Sequence, residues 1–285
     1  MKKALYMECS SGISGDMSVA ALLGLGADPH KLTETLKTLP LQGYQVQITT
    51  VVKSGISAYD FNVILDSLHE NNDHNMEYLH GDSHHANPEY NSSIHTMEAK
   101  HHVPDHSNHP EHMHRNLSDI FQILEASSMT QSALYTAKKI FRILAEGEAE
   151  AHGISIENVH FHEVGAVDSI VDIASFSICL DMLGYKEVFV PALYDGTGTI
   201  RCQHGILPIP VPATANIIKK YQIPLSIQPV QGELVTPTGA AIAASISTSF
   251  KLPSSFQIIK TGIGAGKRNY KNTSGILRFM EIEYI

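Results

Sequence analysis

Residues 160–183 read HFHEVGAVDSIVDIASFSICLDML, and the change of pattern inside this stretch decides the class of fold. Val159 to His162 suits a short strand, whereas Val167 to Leu183 is a strongly apolar run of helical length that Gly184 stops. The same alternation continues on both sides. Downstream, Glu187 to Val190 reads as a strand ahead of Pro191, and Tyr194 to Leu207 as a Gly-rich, hairpin-like stretch. Helices are expected over Ala213 to Tyr221 and Thr238 to Ile246, and strands over Phe256 to Ile263 and Gly275 to Glu283. Upstream, helical spacing covers Leu117 to Leu124, with Ser118 as a candidate N-cap, and Thr130 to His152, ending at Gly153. Strands interleaved with helices in this way suggest an α+β or mixed α/β core.

The first residues add a strand (Lys3 to Glu8), a Ser/Gly loop and a helix starting near Asp16. Asp28-Pro29 opens another helix, with Asp28 as N-cap and Pro29 at the first helical position. Tyr44 to Val52 and Ile56 to Leu65 read as a hairpin joined by Lys53-Ser54-Gly55. From Leu68 to Arg115 the apolar period collapses into His, Asn, Asp, Glu and Ser. Such a composition cannot bury enough surface to offset its ordering entropy, so a long disordered His-rich insertion is expected there. The expected organisation is an N-terminal α/β unit over 1–67, the insertion over 68–115, and a unit over 116–285 packing with 1–67 as one core.

Composition narrows the function. The 285 residues suit one large domain or two ordinary ones, and 43% apolar content is enough for a real core. A net charge of −9 argues against binding nucleic acid through its phosphates. Cys9, Cys179 and Cys202 are odd in number, far apart and form no CxxC pair, which excludes a disulfide framework and a thiolate zinc site. No apolar run reaches the roughly 20 residues of a membrane span, and Met-Lys-Lys leads into a strand-like segment rather than a signal peptide, so a cytoplasmic protein is expected.

Histidine is the abnormal residue. There are 17, and 12 lie between His69 and His114. His84-His85, His101-His102 and His112-Met113-His114 place imidazoles close together on a flexible tether, which suits capture of Ni, Zn or Co ions; a solvated low-complexity linker is the alternative. A second constellation is His160, His162, Glu163 and Asp168. Two imidazoles on one side of a strand, facing Asp168 and Asp172 at a helix start, can hold a divalent cation or move a proton. The same residues also suit ordinary helix-end charges and hydrogen-bonded core histidines. A third is Ser11-Gly12-Ile13-Ser14-Gly15-Asp16, a strand–loop–helix turn of the kind that offers backbone N–H groups to an anion, although Asp16 could equally cap its helix. Thr236-Pro237-Thr238-Gly239 repeats that pattern, Gly262 to Gly266 is a lone Gly cluster with no helix after it, and His204 sits beside a Pro-rich turn.

Together these motifs resemble the nickel-insertion proteins of lactate racemase maturation, the LarC family. The resemblance rests on Ser11 to Met17, Phe161 to Asp172, His204-Gly205 with its Pro-rich turn, and Gly232 to Ala241, in that order and with a His-rich insertion between the first two. It implies insertion of nickel into pyridinium-3,5-bisthiocarboxylic acid mononucleotide, giving a nickel-pincer cofactor, by a cyclometallase of the lyase class. It further implies His160, His162, Glu163, Asp168 and His204 as catalytic candidates. Ser11, Gly12, Ser14, Gly15, Asp16, Thr236, Thr238 and Gly239 would then bind the cofactor precursor. His84, His85, His101, His102, His112, His114, His160 and His162 would bind Ni2+. The family uses CTP with Mg2+ or Mn2+ on a C-terminal domain of roughly 130 residues. This chain ends at Ile285, so it is expected to match the N-terminal part, with that domain as a separate partner and a lactate racemase-type apoenzyme as the downstream acceptor. Homo-oligomers are compatible with this reading. Two rival readings are nickel storage through the insertion and metal-dependent phosphoester hydrolysis.

Overall fold

A computed structural model describes residues 1–66, 76–80, 115–161, 166–202 and 204–285. The strands are β1 (Lys2–Glu8), β2 (Tyr44–Lys53), β3 (Ile56–Leu65), β4 (Arg115–Asn116), β5 (His160–Phe161), β6 (Val188–Phe189), β7 (Leu193–Thr197), β8 (Thr199–Cys202), β9 (Gly205–Pro208), β10 (Leu225–Gln231), β11 (Gln257–Ala265) and β12 (Ile276–Tyr284). The helices are α1 (Gly15–Gly24), α2 (Pro29–Leu36), α3 (Met76–His80), α4 (Leu117–Glu125), α5 (Gln131–His152), α6 (Val167–Leu183), α7 (Pro212–Tyr221) and α8 (Pro237–Ile246). The architecture is mixed α/β, as the alternating pattern predicts. One six-stranded sheet runs β2-β3-β11-β12-β1-β6. It combines antiparallel pairs (β2 with β3, β11 with β12, β12 with β1) with parallel ones (β3 with β11, β1 with β6).

Alternation along the strands divides the sheet into two faces. Leu5, Met7, Phe61, Leu277 and Phe279 turn to one side and join the main core, which α1, α5 and α6 complete. Ala4, Met280 and Ile282 turn to the other, where Phe189, Leu252 and Phe256 cover them. Helices α1 and α6 are apolar on all sides because both are enclosed: Val19, Ala20, Ala21 and Leu22 of α1 and Ile170, Val171, Ile173 and Phe176 of α6 are each fully buried. Gly153 and Gly184 end α5 and α6 in the left-handed conformation expected of them. Asp28 caps α2 as its sequence predicts, accepting from the His30 and Lys31 amides.

The Gly262–Gly266 cluster finds its explanation here. It lies in or just beyond β11, with no nucleotide-type loop, and lets α1 rest directly on the strand. A methyl group at Gly262 would run into the Ala21 carbonyl, one at Gly264 into the Met17 carbonyl, and one at Gly24 would come within 2.8 Å of the Gly262 Cα.

Several local expectations are corrected. Helix α4 is capped by Asn116 rather than Ser118. The Asn116 side chain accepts from the Asp119 amide at 3.0 Å and the Asp119 carboxylate accepts from the Asn116 amide at 3.0 Å, a reciprocal box that leaves Ser118 inside the first turn. The hairpin between 194 and 207 is limited to β8 and β9; β7 instead pairs in parallel with β10, a mostly exposed strand whose pattern is broken by Pro229. The range 68–115 is not wholly without structure. Residues 76–80 form α3, because Met76 and Leu79 fall on one helical side and Leu79, 4% exposed, packs with Ile200 and Val211. Arg115 already belongs to β4, paired with β5. The remainder of the expected insertion, with His84, His85, His101, His102, His112 and His114, lies outside the described residues. Among the described residues no helix is long and apolar enough to cross a membrane.

The glycine contact is a test of the fold. Gly264→Val should destabilise the protein by more than about 3 kcal/mol in urea unfolding, since the added atoms meet backbone rather than a movable side chain. A loss below about 0.5 kcal/mol would show that α1 does not rest on β11 in this way.

Candidate functional site

Segments from across the chain close around a cavity of about 480 Å3. Its walls come from the loop leading into α1, the start of α6, the β8–β9 hairpin with the start of α7, the segment 233–238, and the segment after β11, with residues of β3, α3, the end of α5 and β5 completing the lining. Two backbone bonds stitch the first of these to the fourth: the Ile13 amide donates to the Leu234 carbonyl at 2.9 Å, and the Thr236 amide donates to the Ile13 carbonyl at 3.1 Å. Gly12 is required at the seam, because a Cβ there would strike the Leu234 carbonyl and its φ is +92°. The 233–236 segment is held from beneath by Asp195, which is fully buried. One Asp195 oxygen accepts from the amides of Gly196 (2.8 Å), Leu234 (2.8 Å) and Val235 (3.1 Å).

Of the residues expected at a site, Ser11, Ser14, Gly15, Asp16, His160, Asp168, His204, Thr236 and Thr238 line this cavity. Gly12 and Gly239 do not; both pack against backbone, Gly239 against the Ile13 carbonyl. His162 and Glu163 lie outside the described residues. The expected anion cradle in the α1 loop has three of its amides already engaged. Gly12 N–H donates to Cys9, Ile13 N–H to Leu234, and Asp16 N–H to the Asp172 carboxylate. At the second cradle, the Gly239 amide donates to the Thr236 hydroxyl, which caps α8.

The electrostatic centre of the cavity is Asp172. Its spacing from Asp168 puts both on the α6 face that meets the start of α1, and its carboxyl lies against Gly15, where a Cβ would come within 2.6 Å of Oδ2. Burial, followed by the negative charges of Asp16 and Asp168, raises its pKa well above the ordinary carboxylate range; Lys267 and the Asp16 amide act in the opposite direction. Lys267 itself pairs with Asp60, and the Ser14 hydroxyl donates to Asp16. On the next wall Arg268 pairs with the buried Glu233 at 2.6 Å.

Imidazoles from other elements line the same cavity. His204 and His152 hold their rings 4.9 Å apart at a tilt of 59°, and His152 Nε2 lies 3.6 Å from Glu148. His160 is exposed at the end of β5. Sequence reasoning missed His152, Glu233, Lys267, Arg268 and Tyr270. His152 and Glu148 had a signal, since both stand on the last turns of α5 with i,i+4 spacing. The others stand in irregular segments where only the fold makes them neighbours. Among the described residues, no three His, Cys, Asp or Glu side chains are arranged to hold a metal ion.

The comparisons with known proteins agree with one another. A family profile described as nickel insertion protein matches residues 5–283. The chain is 46% identical over 283 residues to the pyridinium-3,5-bisthiocarboxylic acid mononucleotide nickel insertion protein of Alkaliphilus metalliredigens, covering 99% of this chain and 61% of that protein. It is 38% identical to the protein of the same name from Staphylococcus epidermidis, covering 99% and 60%. It is 36% identical to a putative nickel insertion protein of Geobacter sp., covering 98% and 61%. The chain thus spans about three fifths of the length of these curated relatives. No solved structure matches it.

The raised Asp172 pKa has a consequence for stability. The folded protein holds this proton at pH values where the unfolded chain has released it, so stability falls as pH rises from the ordinary carboxylate pKa to the raised one, then levels off. Asp172→Asn removes that loss. Melting curves from pH 4 to pH 8 should show the variant matching wild type at the acid end and exceeding it increasingly through this window. A variant less stable than wild type at pH 7 would contradict the assignment.

Proposed function

The chain belongs to the nickel insertion protein family, and on that premise we propose that its cavity is where nickel enters pyridinium-3,5-bisthiocarboxylic acid mononucleotide. The observation that supports this reading most is the pairing of a proton-holding carboxylate, Asp172, with imidazoles across one cavity of suitable size. The reaction forms a nickel–carbon bond at the pyridinium ring and breaks the ring C–H bond there. The proton passes to a base, and the two thiocarboxylate sulfurs complete the bonds from substrate to metal. Nickel is a substrate here, not a resident cofactor.

Each part of the cavity has a task in this account. The Asp16, Asp168 and Asp172 carboxyls face the cationic ring; its positive charge releases to solvent the proton that Asp172 holds in the empty cavity, and the carboxylate so formed takes the ring proton. His204 and His160, with His162 and Glu163 from the neighbouring segment, deliver nickel as neutral nitrogen or carboxylate donors before the sulfurs take over. Such a hand-over needs protein ligands that release the metal once the sulfurs bind it. Ser11, Ser14, Thr236 and Thr238 offer hydroxyls to the precursor. The His-rich stretch supplies nickel locally. This assigns the chain a cyclometallase (lyase) reaction in the cytoplasm, with CTP and Mg2+ or Mn2+ bound in the part of the longer relatives that lies beyond the matched span. A lactate racemase-type apoenzyme receives the product.

The test is nickel incorporation into the dithiolated mononucleotide, read by mass spectrometry, with CTP, Mg2+ or Mn2+ and the relatives' additional segment supplied. Asp172→Asn should slow incorporation by roughly 100-fold or more while the protein melts no lower than wild type. His204→Ala, an exposed position, should slow it about 10-fold with no change in melting. Wild-type rates in both variants would remove the cavity from the reaction.

A further inference from the structure

Beside the main cavity lies a second, of about 430 Å3, where the β2–β3 turn meets the segment between β11 and β12. Three cations line it, Lys53, Lys267 and Arg268, against one carboxylate, Asp60, in a chain of net charge −9. Lys267 and Arg268 have acidic partners, Asp60 and Glu233. Lys53 differs. Its ammonium donates to two neutral carbonyls, those of Gly266 and of Arg268 (2.9 Å), so no hydrogen-bonded carboxylate cancels its charge among the described residues. An ammonium has three donors, and one is left for the cavity. Burial, opposed by Asp16 and Asp60 and reinforced by the charge of Lys267, lowers the Lys53 pKa, a penalty that a bound anion would relieve. The hydroxyl-bearing residues Ser54, Thr273 and Ser274 complete the lining. The two cavities share the wall formed by Gly266, Lys267, Arg268, Tyr270 and Gly275.

We propose that this second cavity is an anion subsite that takes the phosphate monoester of the nucleotide whose ring occupies the main cavity. The inference rests on the function proposed above for the ligand's identity, but the cationic cavity itself does not. It also accounts for the division of charge between the two spaces. Carboxylates face the cationic ring, and a compact lysine charge faces the phosphate at the far end of the same molecule. The α1 loop is a poorer place for the phosphate, because its Gly12, Ile13 and Asp16 amides are engaged within the protein and Asp16 puts a carboxylate beside it.

Two measurements test it, each on wild type, Lys53→Gln and Lys53→Arg. The first titrates inorganic phosphate into 15N-labelled protein. Shifts should be saturable and concentrated at residues 53–54 and 266–275, disappear in Lys53→Gln and return in Lys53→Arg. The second compares, by calorimetry, the nickel-free dithiolated mononucleotide with its phosphatase-treated nucleoside. Wild type should prefer the mononucleotide by about 10-fold or more, and Lys53→Gln should lose that preference while binding the nucleoside as before. Phosphate shifts that are absent from these residues, or that survive in Lys53→Gln, overturn the proposal. So does a Lys53→Gln variant that weakens both ligands alike, which would make Lys53 only a clamp on the 266–275 segment. If neither organic ligand binds wild type yet the phosphate shifts follow Lys53, the function proposed above fails and the anion subsite stands.

Discussion

Helix α1 rests on β11 with no side chains between them, and the remainder of the cavity depends on that contact. Gly24 meets Gly262, while Gly262 and Gly264 face the carbonyls of Ala21 and Met17. Backbone packed on backbone has no soft direction in which to relax, so the height of α1 above the sheet is fixed. The fixed height sets where the helix begins, and with it Ser14, Gly15 and Asp16. The loop before them is then tied to residues 234–236 through both backbone groups of Ile13, and that second segment is tied to Asp195. Three elements far apart in sequence therefore meet rigidly, and none of the three cysteines forms a disulfide.

What this rigidity holds together is electrostatically unfavourable. Asp172 is forced against Gly15, close to Asp16 and Asp168, and among the described residues the Asp16 amide and Lys267 offset the crowding. A fold selected for stability alone would have little use for such an arrangement. Groups whose proton affinity is displaced in this way by burial and like charge concentrate where chemistry is done. The nearby cations are also constrained: Lys267 by Asp60, Arg268 by Glu233, and Lys53 by two carbonyls. The cavity is consequently acidic near α1 and α6 and basic beyond the end of β11, a polarity that suits a zwitterionic ligand with a cationic ring and an anionic tail.

Much of the fold was legible in the chain. The runs Val167 to Leu183 and Thr130 to His152 gave helices ending at the expected glycines, because period and stop signal agreed. The hairpin of β2 and β3 followed from alternation and a two-residue Ser54-Gly55 turn with both φ angles positive. Strand β10 was illegible because its residues are mostly exposed and contain a proline, and α3 because one buried leucine in a polar stretch leaves no period. The cavity lining was legible where it lay in contiguous motifs: Ser11, Ser14, Gly15, Asp16, His160, Asp168, His204, Thr236 and Thr238 line one cavity. Its dominant group was underweighted. Asp172 read equally as part of a cation or proton-transfer cluster with Asp168 and as one of two helix-end charges, and nothing local announced that Gly15 and Asp16 would be pressed against it. The glycines of β11 were legible only as a cluster with no helix after it, because nothing in sequence says that a helix backbone from elsewhere in the chain rests on them.

The central claim is that one cavity, between Asp172 and His204, receives the pyridinium ring. A crystal structure of the protein with the nickel-free dithiolated mononucleotide tests it most directly. The account predicts the ring in the main cavity, between the α6 carboxylates and the imidazoles, with Asp172 nearest the ring C–H that nickel replaces. A ring seated elsewhere on the protein, with this cavity left to solvent, would contradict it.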